Sequence, residues 1–442
     1  MNSTPSVIRL LIIATFAISL LAPAYAQTAS AASAVTELDV NGMKVLIKRR
    51  PGTPTVAAGL FFRGGSRNLT PANAGIESFA LSVAGEATKN FPRQKLRKEI
   101  ARMGTNISSG SNNDYSAISL ASTKTNFETS WKIFIDVALN PTFAAEDIER
   151  LRETRLTGLR AINDSPESML GDLNDKAIYA GHPYANSPDG TVETVAKFKA
   201  SDLAAYHKRM LETSRMLLVV VGDVEPATLQ KEIEAAFGSL PKGTYKAEPV
   251  SPLNFAKGTL DVTSKSLQTD YVKGTFAAPS LRDTDYYAMR TAITILQQNV
   301  FQEVRVKQNL SYAPDADLSS MGANIGSISV SSVNPNAAVK AMIGEIQKLQ
   351  QGSADQEAIN QMSGFFLTTH YLKQETNAAQ AGELAQYELI GGGWRNSLEF
   401  LNRIRQVRAA DVQAVANKYM KNLQFTVVGD PKRVDRTIFI SN

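Results

Sequence analysis

Cysteine is absent from the 442-residue chain, and histidine occurs only three times. The first absence excludes disulfides, thiolate nucleophiles and cysteine-ligated metal. The second leaves few imidazoles for catalysis or metal binding. His182, His207 and His370 lie far apart, and none stands in an H-x₃-H or H-x-x-E-H frame. Solvated or hydrogen-bonded structural histidines are the expectation for all three. The chain also lacks a block of one charge. Its 47 Lys and Arg against 42 Asp and Glu give a formal charge of +5 spread along the sequence, which excludes a nucleic-acid footprint. Beyond the N-terminus no apolar run reaches the roughly 20 residues that a bilayer span needs.

What is present at the N-terminus reads as a secretory signal. Arg9 supplies the positive segment, Leu10 to Leu21 the apolar one, and Ala24-Tyr25-Ala26 a small-x-small cleavage site. Residues 1–26 are therefore expected to be a cleaved signal peptide, with Gln27 first in the mature chain. The apolar run is short for the alternative, an uncleaved anchor. No stable membrane span is expected after signal removal. An exported chain without cysteine must rely on its core, which fits a large periplasmic protein. A hydrophobic content of 43% is ordinary for a globular protein of that kind.

The sequence repeats itself. Leu217 to Asp223 reads LLVVVGD and Phe425 to Asp430 reads FTVVGD, each a β-branched run closed by Gly-Asp. Each follows a helical stretch that opens with an Asp, Asp202 in one copy and Asp411 in the other, both expected as N-caps. Val56 to Phe62 and Tyr271 to Phe276 are matching strand-like starts. Three elements recurring in one order imply two homologous α+β domains. Each is expected to be a mostly antiparallel sheet with helices packed on one face. The Pro-, Gly- and Lys-rich stretch 241–252 reads as the linker, dividing the chain into 27–245 and 246–442. Within the first half, 107–122 reads as a strand pair, and 146–163 and 166–179 as helices, the second opened by Ser165-Pro166.

Three segments carry a family resemblance. They are Phe61-Phe-Arg-Gly-Gly-Ser-Arg-Asn68, then Ala74-Gly-Ile-Glu-Ser-Phe-Ala-Leu-Ser82, then Lys98-Glu-Ile-Ala-Arg-Met-Gly104. With His182-Pro-Tyr-Ala-Asn-Ser-Pro-Asp-Gly-Thr191 and the repeated Val-Gly-Asp strands, they resemble the insulinase, pitrilysin and processing-peptidase family. The resemblance covers essentially the whole mature chain and implies a clam-shell half built of two domains. It also implies a zinc site on an inverted motif, two imidazoles one helical turn apart with a Glu to activate water. Here that chemistry is missing. Ser78 and Ser82 fall at the two His positions, Leu81 at the general base, and Gly158 at the third, acidic ligand. A hydroxyl is a poor zinc ligand, leucine accepts no proton, and glycine offers no side chain. No metal or other cofactor is expected in this chain.

The second half keeps something. Phe301-Gln-Glu-Val-Arg305-Val-Lys-Gln-Asn-Leu-Ser-Tyr312 resembles the family segment whose Arg and Tyr bind substrate and steady the oxyanion. Their spacing is two helical turns, so both are expected on one helix face. Ordinary alternatives are an ion pair of Arg305 with Glu303 or Asp315 and a core position for Tyr312. The resemblance extends to heterodimers in which one subunit carries zinc and the other does not. On that basis the chain is expected to be the non-catalytic subunit of a zinc peptidase, not a peptidase on its own. It would complete a peptide-binding chamber and lend Arg305 and Tyr312 to the partner's site. The expected partners are a zinc-bearing homologous subunit and an unfolded peptide. The competing expectations are a purely structural or peptide-binding homologue, and an autonomous enzyme with an unrecognised site. Two departures count against other substrate devices. Leu296 to Phe301 stands where many relatives have a glycine-rich loop, and Ser108-Ser109 where they have Asn-Ala on an edge strand.

Overall fold

The computed structural model describes residues 34–440, so the expected signal peptide and its cleavage site lie outside the described residues. The first domain contains six strands: β1 (Val35–Val40), β2 (Met43–Arg49), β3 (Thr55–Arg63), β4 (Asn106–Ser111), β5 (Tyr115–Thr123) and β6 (Met216–Gly222). Its helices are α1 (Ile76–Ala84), α2 (Arg93–Met103), α3 (Phe127–Leu139), α4 (Ala145–Ala161), α5 (Pro166–Ile178), α6 (Val192–Lys197), α7 (Ala200–Met210) and α8 (Pro226–Phe237). Residues 241–258 carry no regular element. The second domain has β7 (Thr259–Ser264), β8 (Asp270–Ala277), β9 (Asp315–Leu318), β10 (Ile325–Ser332) and β11 (Gln424–Gly429). Its helices are α9 (Asp285–Val300), α10 (Pro335–Gln350), α11 (Gln356–Lys373), α12 (Asn377–Ile390), α13 (Phe400–Arg405), α14 (Ala409–Tyr419) and α15 (Arg436–Ile440).

The repeat seen in the sequence is a repeat of topology. The first sheet runs β1-β2-β6-β3-β5-β4 and the second β7-β11-β8-β10-β9, so the two match once β1 is set aside. In each, one parallel pair (β2 with β6, β7 with β11) joins an otherwise antiparallel sheet. The Val-Gly-Asp strands β6 and β11 are internal, which explains their largely apolar runs, broken in β11 by Thr426.

Those runs are apolar because both faces of the strand are covered. Met216, Leu218 and Val220 join the core formed with the first domain's own helices. Their alternates Leu217, Val219 and Val221 point the other way and pack against Ala381, Leu384 and Ala385 of α12, together with Trp394. Helix α12 thus belongs to the second domain in sequence and covers the first domain's sheet. The exchange is reciprocal. Helix α5 of the first domain packs on β8 and β11 of the second, where Asn174 accepts from Thr275 Oγ1 at 3.0 Å. Each sheet therefore has its own helices on one face and a borrowed helix on the other.

The helix starts depart in detail from expectation. Asp202 and Asp411 are not N-caps. Each is the third helical residue, its carboxylate accepting from the backbone N–H of Lys199 and Arg408, which hold the cap positions, at 2.9 Å in both copies. This is the returning half of a capping box. Ser165 is a true N-cap, accepting from Ser168 N, with Pro166 at the first turn.

Candidate functional site

Helix α1 starts at Gly75, whose φ of 85° only glycine adopts freely. A Cβ there would lie 2.5 Å from the Gly190 backbone. Gly190 itself has φ 81°, and its Cβ would meet Ala74 O. The two glycines belong to two separate family-like segments, and the fold brings them into contact. Thr194 Oγ1 seals the junction by donating to Ala74 O at 2.9 Å.

Of the four positions of the degenerate metal motif, the fold brings Ser78 and Ser82 to one face. Ser78 and Ser82 lie one turn apart on α1 and face α4. Between them sits a residue the sequence reading missed. The Arg155 guanidinium donates to Ser78 Oγ and, at 3.1 Å, to Ser82 Oγ. Its plane lies 5.5 Å from the Phe79 ring centroid. The nearest acid, Asp189, stands 3.8 Å away and is mostly exposed. Burial pushes Arg155 below the ordinary arginine value, with Asp189 opposing. Gly158, one turn further along α4, is exposed, and a Cβ there would meet nothing within 4 Å. Leu81 is buried in the first core. These residues do not fit a zinc ion: a fixed cation stands where a divalent one would have to go. Among the described residues, no group of three or more His, Cys, Asp and Glu is placed to hold a metal. Arg155 lies three residues before Gly158 on α4, but its meeting with Ser78 and Ser82 joins elements more than 70 residues apart and leaves no local signal.

Helix α1 also carries Glu77, fully buried. Its Oε2 accepts from Arg215 Nη2 at 2.6 Å and from Tyr206 Oη at 2.6 Å, and its Oε1 from Ser116 Oγ. Arg215 Nε donates on to Arg63 O at 3.0 Å. Burial alone would lower Arg215, yet Glu77 and Tyr206 carry it above the usual arginine value. The acid holds α1 to α7, β5 and the start of β6. No local pattern marks this network, because its members are distant in sequence.

Arg305 and Tyr312 are brought together, but not on one helix face. Helix α9 continues as a π-helical turn, Phe301–Lys307, and stops there. Asn309, with φ 49°, turns the chain, and Tyr312 lies on the loop that follows. Arg305 Nη1 donates to Tyr312 O at 2.6 Å, and its guanidinium stacks 3.9 Å from the Tyr312 ring centroid. Phe301 flanks the other side at 5.2 Å. The two ordinary alternatives do not describe it either. Glu303 is engaged by Lys307 at 2.9 Å and Gln308 at 2.8 Å, and Tyr312 is 78% exposed. Val306 and Val333 are exposed beside it. A cleft of about 460 Å³ runs along Arg305, Tyr312 and Ser331 to Val333. A cationic donor and a phenol are thus held on a surface of mixed serine and valine, and π-turns recur at functional sites.

The histidines are structural. His207 is buried in α7 and donates through Nε2 to Ala138 O at 2.9 Å; burial lowers it to about 4. His182 Nδ1 accepts from Tyr184 N and its Nε2 meets Ser251 O at 3.0 Å. His370 stacks on Phe400. Ser108 and Ser109 lie on β4, the outer edge of the first sheet, and 296–300 is plain helix within α9.

Comparison with known proteins agrees with this fold. Residues 44–191 match the family Insulinase (Peptidase family M16), and residues 197–363 match Peptidase M16 inactive domain. An uncharacterized zinc protease of Mycobacterium leprae is 23% identical over 408 residues, 90% of this chain and 92% of its own length. Subunit 1 of the bovine mitochondrial cytochrome b-c1 complex is 26% identical over 265 residues, 59% of this chain and 55% of its own. A Pseudomonas fluorescens structure described as a peptidase M16 inactive domain superposes with a TM-score of 0.82 at 19% identity, covering 90% of this chain and 98% of that one. The chain belongs to peptidase family M16, the insulinase family.

Proposed function

We propose that this protein is the non-catalytic subunit of a two-chain zinc peptidase of the periplasm, exported by its N-terminal segment. The observation that carries the reading is an asymmetry between two loci. The metal position is filled by Arg155, whereas Arg305 and Tyr312 are held together and presented outward. In this reading the zinc and its activated water belong to a homologous partner subunit. The two chains enclose an unfolded peptide, and Arg305 with the Tyr312 hydroxyl donate to the scissile carbonyl as it gains negative charge.

The test is reconstitution. The chain is used to capture its partner from the periplasm, and cleavage is measured for the assembled pair. Tyr312→Phe is the cleaner variant, since it keeps the ring over Arg305 and the backbone contact and removes only the hydroxyl. It and Arg305→Ala are expected to lower kcat by roughly ten- to thousand-fold with assembly unchanged. Normal turnover in both variants would remove the assigned role. A second reading draws on the cytochrome b-c1 relative, a subunit of a respiratory complex. Here the chain binds partners or peptides and assists no cleavage, and no zinc-bearing subunit co-purifies.

A further inference from the structure

A cavity of about 540 Å³ opens where the first domain meets the second, and it shares no residue with either locus above. The end of β2 contributes Lys48, and Arg50 follows it. Helices α11 and α12 contribute His370, Gln380 and Glu383, and α13 contributes Arg405. Leu384, Leu398 and Leu401 supply apolar wall. Volume and position at a domain boundary are those of a small-molecule site, on the order of 300–1,000 Å³.

Its polar groups are incompletely used. Lys48 is half-buried, yet among the described residues its ammonium has no hydrogen bond and no carboxylate within ion-pairing distance. Burial lowers it below the ordinary lysine value, with Glu383 opposing. The Arg405 side chain likewise has no partner among the described residues. Gln380 is only 5% exposed. Its Nε2 donates to Gln374 O at 2.5 Å, while its Oε1 is buried with no partner. An orphaned buried acceptor beside an unpaired half-buried cation is uncommon, because both lose hydration without compensation. Arg50 is partly engaged, donating to Asn377 Oδ1. Glu383 does not neutralise Lys48 by contact; the His370 ring lies near it, Nδ1 at 3.9 Å, and burial lowers that imidazole toward its neutral form. Burial holds the Glu383 carboxyl up at about 7, so it is substantially protonated in neutral solution. The remaining charges facing it are Lys48, Arg50, Lys373 and Arg405 against Glu375, and the cavity favours an anion.

We propose that this cleft is a binding site for a small carboxylate that also carries a hydrogen-bond donor, an amino or hydroxy acid. The carboxylate pairs with Lys48 and Arg405, and a turn of the Gln380 side chain brings its Oε1 to accept from the ligand's O–H or N–H. The assignment is independent of any part in cleavage. Titration calorimetry of the full mature chain tests it with succinate, malate, glutamate and inorganic phosphate. Malate and glutamate are expected to bind saturably, and malate roughly tenfold more tightly than succinate, because succinate leaves Gln380 Oε1 unpaired. Lys48→Gln and Arg405→Gln should each weaken binding by roughly ten- to hundred-fold while the circular dichroism and melting temperature stay as in wild type. The proposal is overturned by the absence of saturable binding for every probe. Binding undiminished in Lys48→Gln overturns it, as does phosphate matching malate.

Discussion

Rebuilding the metal ligands gives a quantitative test of what Arg155 does. The three ligand positions can be restored as Ser78→His, Ser82→His and Gly158→Glu. Leu81 stays, since a general base is not needed for binding. Gly158 tolerates the change, because its Cβ direction is open and helix α4 gains propensity. The guanidinium, however, lies against both α1 hydroxyls. A divalent ion at those positions would sit on the order of 5 Å from it, and at an effective dielectric of about 20 their repulsion is about 7 kcal/mol. Structural zinc sites supply about 10–16 kcal/mol, so roughly half the binding energy is lost, or about five decades in affinity. Relief of half the repulsion, by rotation of Arg155 toward exposed Asp189, still leaves roughly two decades. The assay is equilibrium dialysis of zinc with metal quantified by emission spectrometry. The triple variant is compared with the same variant carrying Arg155→Met. The first should bind zinc roughly two to five decades more weakly than the second. Equal affinity in both would refute the claim that Arg155 bars the metal.

Glu77→Gln or Arg215→Met, each leaving a buried partner uncompensated, should lower unfolding stability by about 3–5 kcal/mol in urea titration. A loss below about 1 kcal/mol would mean that the pair does not anchor α1. His207 and Glu383 should titrate against each other. His207 is lowered to about 4 by burial, so its contribution is present above about 6.5 and is lost as pH falls toward 4, by up to about 3 kcal/mol. Glu383 is raised to about 7 by burial, so stability falls as pH rises from about 4.5 to 7, by up to about 3 kcal/mol. Relative to wild type, His207→Gln should therefore remove a rising slope and Glu383→Gln a falling one. Parallel stability profiles across all three proteins would contradict both assignments.

The two-domain plan was legible because it rests on local patterns. Buried β-branched runs before Gly-Asp mark β6 and β11, and Ser165-Pro166 marks the start of α5. Asp202 and Asp411 were read as caps because an Asp at the third helical position and one at the cap look alike in a sequence. Only the backbone shows which N–H each carboxylate receives. Tyr312 was set on a helix face because spacing carries no stop signal at Lys307. The chain ends its helix there through a π-turn and a left-handed Asn309. The empty metal motif was readable residue by residue, and its new occupant was not. Arg155 and the Glu77–Arg215 pair depend on which elements meet, which no local pattern encodes. The same holds for α5 and α12: LLVVV says that both faces of β6 are covered, not by what.

The crossed placement of α5 and α12 has a mechanical consequence. Cutting the chain in the 241–258 segment would not release two working modules, for the first would bare Leu46, Phe61, Leu217, Val219 and Val221, now shielded by α12, and the second would lose the contacts of Asn174 with Thr275 and Thr426. Swinging the domains apart like a hinge would have the same effect. The chain is therefore a single stiff body, and in the proposed two-chain assembly the gap that admits a peptide would open along its border with the partner.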